Sequence, residues 1–117
     1  MLKSLMFLPC LLVVLAPVLA AQTGGAKTRL AVVGLDHDHV WGLFEDMPKE
    51  PDAELVAIAD PNSELVAKAK GTVPASVKFY SDYVTMLDEA KPEAVFVTTS
   101  NDRHLEILKE CAKRHIH

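Results

Sequence analysis

Cysteine and basic charge are both scarce in this sequence. Only two of the 117 residues are cysteines, and 12 lysines and arginines face 16 aspartates and glutamates, for a formal net charge of −4. This acidic balance offers no electrostatic surface to a nucleic acid, so none is expected as a partner. Cys10 lies in an N-terminal segment that we predict to be removed, which leaves Cys111 alone. A mature chain with one cysteine has neither an internal disulfide nor a cysteine-based zinc site.

The N-terminal segment has the pattern of a secretory signal peptide. Lys3 provides a basic start, residues 5–19 form an apolar run rich in leucine and valine, and small residues around Ala20 offer a cleavage site. The run is short for a membrane span of about 20 residues, and two prolines interrupt it. We predict a signal peptide over residues 1–20 and export to the periplasm or the exterior, with no stable membrane insertion after cleavage. The alternative is a membrane anchor formed by residues 5–21.

After a linker over residues 21–28, strand-like and helix-like segments alternate four times through residues 29–117. The predicted strands are continuous apolar runs, as expected where helices cover both faces of a sheet, and they span residues 30–33, 55–59, 77–80 and 94–97. A helical pattern follows each strand. The first two patterns start at His39 and Ser63, the third starts at Ser81 or Asp82, and the fourth starts at Asn101 or Asp102. We therefore predict an α/β fold, a Rossmann-like doubly wound parallel sheet of four β/α units. It is incomplete, because residues 116–117 stand where a fifth strand would begin.

Polar residues and apolar spacing give expectations for the helices. Asp38 is a predicted N-cap of the first helix, which ends at Met47 before Pro48, and Asn62 or Ser63 caps the second, which stops at Gly71. Trp41 and Phe44, three residues apart, are predicted to be core residues. In the fourth helix one apolar face is expected to carry Leu105, Leu108 and Ala112, with Ile107 and Cys111 beside it.

Glycine is scarce where a dinucleotide-binding turn needs it. In the G-x-G-x-x-G fingerprint, which lets helix-start N–H groups face a pyrophosphate, Gly34 fills the first slot, Asp36 the second and His39 the third. An Asp36 carboxylate about 5 Å from a phosphate would weaken binding by about 3 kcal/mol at an effective dielectric constant of about 20, which is roughly a hundredfold. We thus expect weakened cofactor binding. The predicted cofactor-binding residues of this turn are Gly34, Leu35, Asp36 and His37.

Asp60 ends the second predicted strand, 26 positions after Gly34. A carboxylate there is placed to accept hydrogen bonds from the adenosine ribose hydroxyls and to repel a 2′-phosphate. Pro61 and Asn62 follow it, with no arginine to accommodate that phosphate. The sequence therefore favours NAD over NADP. The alternative is that residues 60–62 form only a turn.

Hydroxyl and amide side chains follow the fourth predicted strand. Thr98, Thr99 and Asn101 stand outside the carboxyl end of that strand, where open parallel sheets bind ligands, and His104 lies one turn into the next helix. These four side chains are predicted to contact the ribose or the nicotinamide. Helix capping by Asn101 or Asp102 is compatible with that role.

His37, Asp38 and His39 form a compact group of potential metal ligands. No third ligand stands at a known spacing from the two histidines, so we interpret the group as solvent-facing residues at a helix start and predict no metal site. A metal-dependent hydrolase or lyase that uses these residues remains an alternative.

Four short segments together resemble one known family. They are residues 31–34, residues 56–61, residues 79–83 leading to Met86 and Leu87, and the run from Ala94 to His104. The last run is similar to a strand that ends in a Thr-Pro-Asn-x-x-His signature, with Ser100 in place of the proline. On these segments, residues 29–117 resemble the N-terminal Rossmann domain of the Gfo/Idh/MocA oxidoreductases.

The resemblance implies a domain that binds NAD or NADP, followed by an α/β domain that holds a sugar-like or cyclitol-like substrate. It also implies hydride transfer at a carbinol carbon, with a catalytic lysine in a Glu-Lys-Pro motif after the fifth strand. Since the sequence stops before that motif, we predict no catalytic residue here and expect the small-molecule substrate to bind in the missing domain. A non-redox Rossmann scaffold that has lost tight dinucleotide binding is the alternative, and a homo-oligomer remains open.

Overall fold

The computed structural model describes residues 25–117, so the predicted signal peptide and the anchor alternative lie outside the described residues. Strands and helices alternate along this part of the chain. The strands are β1 Thr28–Val33, β2 Ala53–Ala59, β3 Lys78–Tyr80 and β4 Ala94–Val97. The helices are α1 His39–Asp46, α2 Ser63–Lys70, α3 Tyr83–Ala90 and α4 His104–Lys113. No helix within residues 25–117 has the length and apolar character needed to cross a bilayer.

The four strands form one parallel sheet in the order β3-β2-β1-β4. Their carboxyl ends are level, because Val33 pairs with both Ala59 and Val97, and Ala59 also pairs with Tyr80. The predicted α/β fold with a Rossmann-like parallel sheet is confirmed for the described residues. The level ends bring the loops after the four strands to a single edge of the sheet.

β1 and β2 each begin two residues earlier than predicted. The pairs Thr28–Ala53 and Arg29–Glu54 extend the ladder beyond the apolar runs. Thr28, Arg29 and Glu54 are exposed at the amino edge of the sheet, so they join the ladder without having to be apolar. The hydrophobic pattern marks only the buried part of each strand.

Helices cover both faces of the sheet. α3 and α4 pack on one face, where Met86, Leu87 and Ile107 are buried against Ala31 and Ala57. On the other face, α1 and α2 pack around a second buried cluster. Because successive side chains of a strand point to opposite faces, the carboxyl-terminal halves of β1 and β2 meet a helix layer on both faces, which explains their continuous apolar runs.

Two helix starts agree with the sequence, and two do not: the predicted caps Asp38 of α1 and Asn101 or Asp102 of α4 are both wrong. The Asn62 side chain accepts hydrogen bonds from two backbone N–H groups of α2, and Asp82 accepts one from the Thr85 N–H at 2.8 Å. The predicted N-cap role of Asp38 is wrong, because its own backbone is helical (φ −58°, ψ −26°) and its side chain makes no capping bond. Residues 101–103 form a short 3₁₀ turn before α4, also without a side-chain cap.

The apolar face predicted for α4 is wrong, because Leu105, Leu108 and Ala112 are exposed, the two leucines by 63% and 56%. The helix instead buries Ile107 and Cys111, one turn apart, which were expected beside that face. In α1, Phe44 is buried as predicted, and the half-buried Trp41 contacts it edge-on with ring centroids 5.7 Å apart.

The last residue of the chain lies beside β4. The His117 N–H donates to the Glu93 carbonyl at 3.0 Å, and the Val95 N–H donates to the His117 carbonyl at 2.8 Å. These two bonds flank Ala94, which is the pattern of a parallel strand pair. Residue 117 thus occupies the sheet position where the sequence predicts the start of a fifth strand.

The end of α4 holds a histidine in the left-handed backbone region. His115 has a φ of 55°. Its N–H donates to the Ala112 carbonyl at 3.1 Å, and the Ile116 N–H donates to the Cys111 carbonyl at 3.0 Å. This pair of bonds is the Schellman motif, whose left-handed position is usually a glycine because a Cβ is disfavoured there.

We expect His115→Gly to raise the free energy of unfolding by about 0.5–1 kcal/mol, because relief of the left-handed strain exceeds the added flexibility of the unfolded chain. Urea denaturation measures the change. Lys109→Gly is the control, since it places the same residue inside α4 and should lower stability by about 1 kcal/mol. A His115→Gly protein no more stable than the parent would show that the histidine is unstrained.

Candidate functional site

Gly34 ends β1 in a conformation that side chains rarely adopt. Its φ is +90°, and a Cβ built on it would lie 2.8 Å from the Thr99 nitrogen and 2.9 Å from the Thr98 carbonyl carbon. Its N–H donates to the Ala59 carbonyl at 2.9 Å. The absent side chain therefore lets the ends of β1, β2 and β4 approach one another closely.

Asp60 ties the end of β2 to the turn after β1. The residue is only 5% exposed. Its Oδ2 accepts a hydrogen bond from the Leu35 N–H at 2.7 Å, and its Oδ1 accepts one from the Asn62 N–H at 2.7 Å. These are charge-assisted bonds, and they use two of about four lone-pair positions of the carboxylate. Two further lone-pair positions of the carboxylate accept no hydrogen bond from these two backbone groups.

The loop after β4 is fixed to the same turn. The Thr98 hydroxyl donates to the Gly34 carbonyl at 2.6 Å, and the Thr98 N–H donates to the Val33 carbonyl at 2.8 Å. His104 Nε2 lies 2.9 Å from the Thr99 carbonyl oxygen. A carbonyl only accepts, so Nε2 carries the proton in this contact. The threonine and histidine side chains thus hold the loop in place against β1.

One crevice of about 260 Å³ opens at the carboxyl edge of the sheet. All four strand ends contribute to its walls, which consist of Val33, Gly34, Asp36, Ala59, Asp60, Pro61, Asn62, Ser81, Asp82, Tyr83, Thr99 and Arg103. In open parallel sheets this edge is where ligands bind. The crevice brings together four of the predicted cofactor residues, namely Gly34, Asp36, Asp60 and Thr99.

The other five predicted residues do not line this crevice. Leu35 is 1% exposed and packs in the core beneath α1 and α2, so only its N–H takes part in the turn. His37 is exposed, and its N–H makes a long contact of 3.4 Å to the Thr98 carbonyl. Thr98 and His104 hold the loop, and Asn101 is exposed in the 3₁₀ turn. Their contact with a cofactor stays a prediction.

Sequence reasoning about ligand contacts missed five polar residues of the crevice, namely Asn62, Ser81, Asp82, Tyr83 and Arg103. Asn62 follows β2, Ser81, Asp82 and Tyr83 follow β3, and Arg103 precedes α4. Burial and the nearby Glu106 carboxylate raise the pKa of Tyr83, whereas the bond from the Thr85 hydroxyl lowers the pKa of Asp82. The available signal was position, since each residue lies within six positions of a strand end.

Within residues 25–117, no three histidine, cysteine, aspartate or glutamate side chains are grouped closely enough to hold a metal ion. His37, Asp38 and His39 are all exposed where α1 begins. The metal-dependent hydrolase or lyase therefore has no support in the described part of the chain.

A model of the GFO_IDH_MocA family, an oxidoreductase family with an NAD-binding Rossmann fold, matches residues 28–117. The chain belongs to this family. The resemblance inferred from four short segments is confirmed, and the described residues are an NAD-binding Rossmann domain of this oxidoreductase family. Comparison with curated proteins gives no significant match.

Solved structures share the fold. Scyllo-inositol dehydrogenase from Lactobacillus casei, with bound NAD(H) and scyllo-inositol, has a TM-score of 0.67 at 20% identity over 78% of this chain and 26% of its own. The WlbA dehydrogenase from Bordetella pertussis, in complex with NADH and UDP-GlcNAcA, has a TM-score of 0.70 at 24% identity over 78% and 27%. A probable dehydrogenase from Thermotoga maritima gives 0.67 at 28% identity over 76% and 26%. The chain thus spans about a quarter of each of these proteins.

Proposed function

We propose that this chain is the NAD-binding part of an exported oxidoreductase that transfers a hydride between the cofactor and a carbinol carbon of a sugar-like or cyclitol-like substrate. The observation that carries the cofactor role is the Asp60 carboxylate, fixed at the strand edge beside Gly34 and facing the crevice. The substrate class is supported by the similar dehydrogenases solved with scyllo-inositol and UDP-GlcNAcA. Export is supported by the signal-peptide pattern of residues 1–20.

The charges of the crevice favour NAD over NADP. Asp60 and Asp82 both line it, and Pro61 and Asn62 follow Asp60 where a cation would have to stand to accept a 2′-phosphate. A phosphate placed beside the Asp60 carboxylate would be repelled. The extra phosphate of NADP therefore weakens binding.

Isothermal titration calorimetry of the purified protein with NADH and with NADPH tests the proposal. We expect NADH to bind at least about tenfold more tightly, which is about 1.4 kcal/mol. Equal or tighter binding of NADPH would contradict the preference for NAD. A protein that binds neither nucleotide would contradict the cofactor role itself.

Asp36 favours a second candidate, a non-redox scaffold that has lost tight dinucleotide binding. It is exposed, lines the crevice and stands in the second glycine slot. In the same titration, Asp36→Gly should tighten NADH binding by up to about a hundredfold if the site is a weakened cofactor site. Asp38→Gly, an exposed residue outside the crevice, is the matched control. No gain from Asp36→Gly would favour the non-redox scaffold.

A further inference from the structure

We propose that Arg103 is a phosphate-binding residue of the crevice and that its charge compensates for Asp36 in the turn after β1. The proposal rests on the proposed dinucleotide function. It names the cationic group that would allow a pyrophosphate to bind close to Asp36. Neither the glycine fingerprint nor the strand-end motifs point to Arg103.

The walls of the crevice are strongly acidic. They carry the carboxylates of Asp36, Asp60 and Asp82, and Arg103 is the one basic side chain that lines the crevice in the described part of the chain. Asp60 and Asp82 already accept hydrogen bonds from backbone N–H groups, which partly offset their charge. Asp36 has no such side-chain bond within residues 25–117, so its charge acts most directly on an incoming phosphate.

Arg103 is held loosely enough to change partners. Its Nε and Nη2 both lie 3.2 Å from a single Glu106 oxygen, Oε1. The two side chains are 42% and 56% exposed, and such exposed pairs contribute little to stability. A phosphate offers two oxygens to the planar guanidinium, and bidentate pairing of this kind is stronger than the contact with Glu106.

The backbone around Arg103 is fixed while its side chain is free to turn. The Arg103 N–H donates to the Ser100 carbonyl at 3.1 Å in the turn before α4, and His104 is anchored to the Thr99 carbonyl. The guanidinium therefore moves on a rigid base that already lies at the crevice wall. The proposal requires the guanidinium to exchange its contact with Glu106 for a phosphate oxygen.

Calorimetric titrations of the full chain with NADH, inorganic pyrophosphate and adenosine test the proposal. We expect Arg103→Ala to weaken binding of NADH and of pyrophosphate by about tenfold or more and to leave adenosine unaffected. The loss should shrink at high salt, because the interaction is between charges. Lys113→Ala is the matched control, since Lys113 pairs, as Arg103 does, with a glutamate three residues away but does not line the crevice. It should leave all three affinities unchanged.

A second variant keeps the proposal testable if Arg103→Ala does not fold. Glu106→Gln weakens the competing partner, because its oxygen still accepts from Arg103 but carries no charge, so NADH should bind about two- to threefold more tightly. Normal NADH binding by Arg103→Ala, or no gain with Glu106→Gln, overturns the role of Arg103 and leaves the cofactor proposal standing. If pyrophosphate binds in a way that depends on Arg103 but NADH does not bind, the cofactor proposal is overturned and the phosphate-binding role of Arg103 stands. Binding of neither ligand overturns both.

Discussion

Gly34→Ala is expected to lower the free energy of unfolding by about 2–5 kcal/mol. A φ of +90° is outside the conformations that an alanine adopts readily, which alone costs about 1–2 kcal/mol or more. The added Cβ would also meet the backbone of Thr98 and Thr99 at less than 3.0 Å. Backbone cannot rotate aside as a long side chain can, so the overpacking adds about 1–3 kcal/mol. The loss is a large share of the total stability of about 5–15 kcal/mol typical of small domains.

Thermal and urea denaturation of the variant measure this loss, and Gly42→Ala provides a control with the same chemical change. Gly42 lies inside α1, and a Cβ there would have nothing within 4 Å. Alanine is the better helix residue, so Gly42→Ala should gain up to about 1 kcal/mol. The two substitutions thus have opposite expected signs. A Gly34→Ala protein as stable as the parent would mean that the turn after β1 can open without loss.

The strands were the most predictable part of the fold, because a continuous apolar run marks each of them, even in β4, where Phe96 is 42% exposed. The apolar run 94–97 predicts β4 at its observed bounds, and the run 77–80 misses the start of β3 by one residue. A strand end that extends past the core carries no apolar run to mark it. Thr28 and Arg29 belong to β1 through backbone pairing alone, and backbone pairing leaves no mark on side-chain polarity.

The helix starts were less predictable, because a capping residue must adopt the right backbone conformation as well as have the right side chain. Asn62 and Asp82 have extended backbones, so their side chains reach back to the first N–H groups of α2 and α3. Asp38 has an equally suitable side chain but a helical backbone. The Trp41 N–H already donates to the Asp38 carbonyl at 3.1 Å.

About half of the predicted cofactor residues line the crevice, and the parallel sheet explains why. Strand ends are level, so polar residues directly after β1, β2 and β4 could be expected to meet, and Gly34, Asp60 and Thr99 do. Whether a residue several positions past a strand end faces the crevice depends on how the following turn and helix are oriented. Arg103 lines the crevice and His104 beside it does not, a difference that the order of residues alone does not reveal.

The second large effect is expected at Asp60. Asp60→Asn keeps the size of the side chain but replaces one of two accepting oxygens with an NH₂ group, which then faces a backbone N–H of Leu35 or Asn62. Hydrogen bonds to charged groups contribute about 1.5–3 kcal/mol each, and a donor left unpaired in a buried site adds its desolvation. We expect the variant to lose about 2–4 kcal/mol of stability, as measured by urea denaturation. Hydrogen exchange should show faster opening at the amide that loses its partner.

Asp82→Asn separates this effect from a general loss of negative charge at the crevice. Asp82 uses a single oxygen, Oδ2, for its bonds from the Thr85 N–H and hydroxyl, and an asparagine oxygen can accept both. Its stability should therefore change little. If both variants lose the same stability, the crevice depends on charge alone and Asp60 is not a fixed tie between β1 and β2. If only Asp60→Asn is destabilised, the carboxylate that we propose for the cofactor also holds the turn after β1 in place. Any NADH affinity measured for that variant must then be compared at a temperature where it is fully folded.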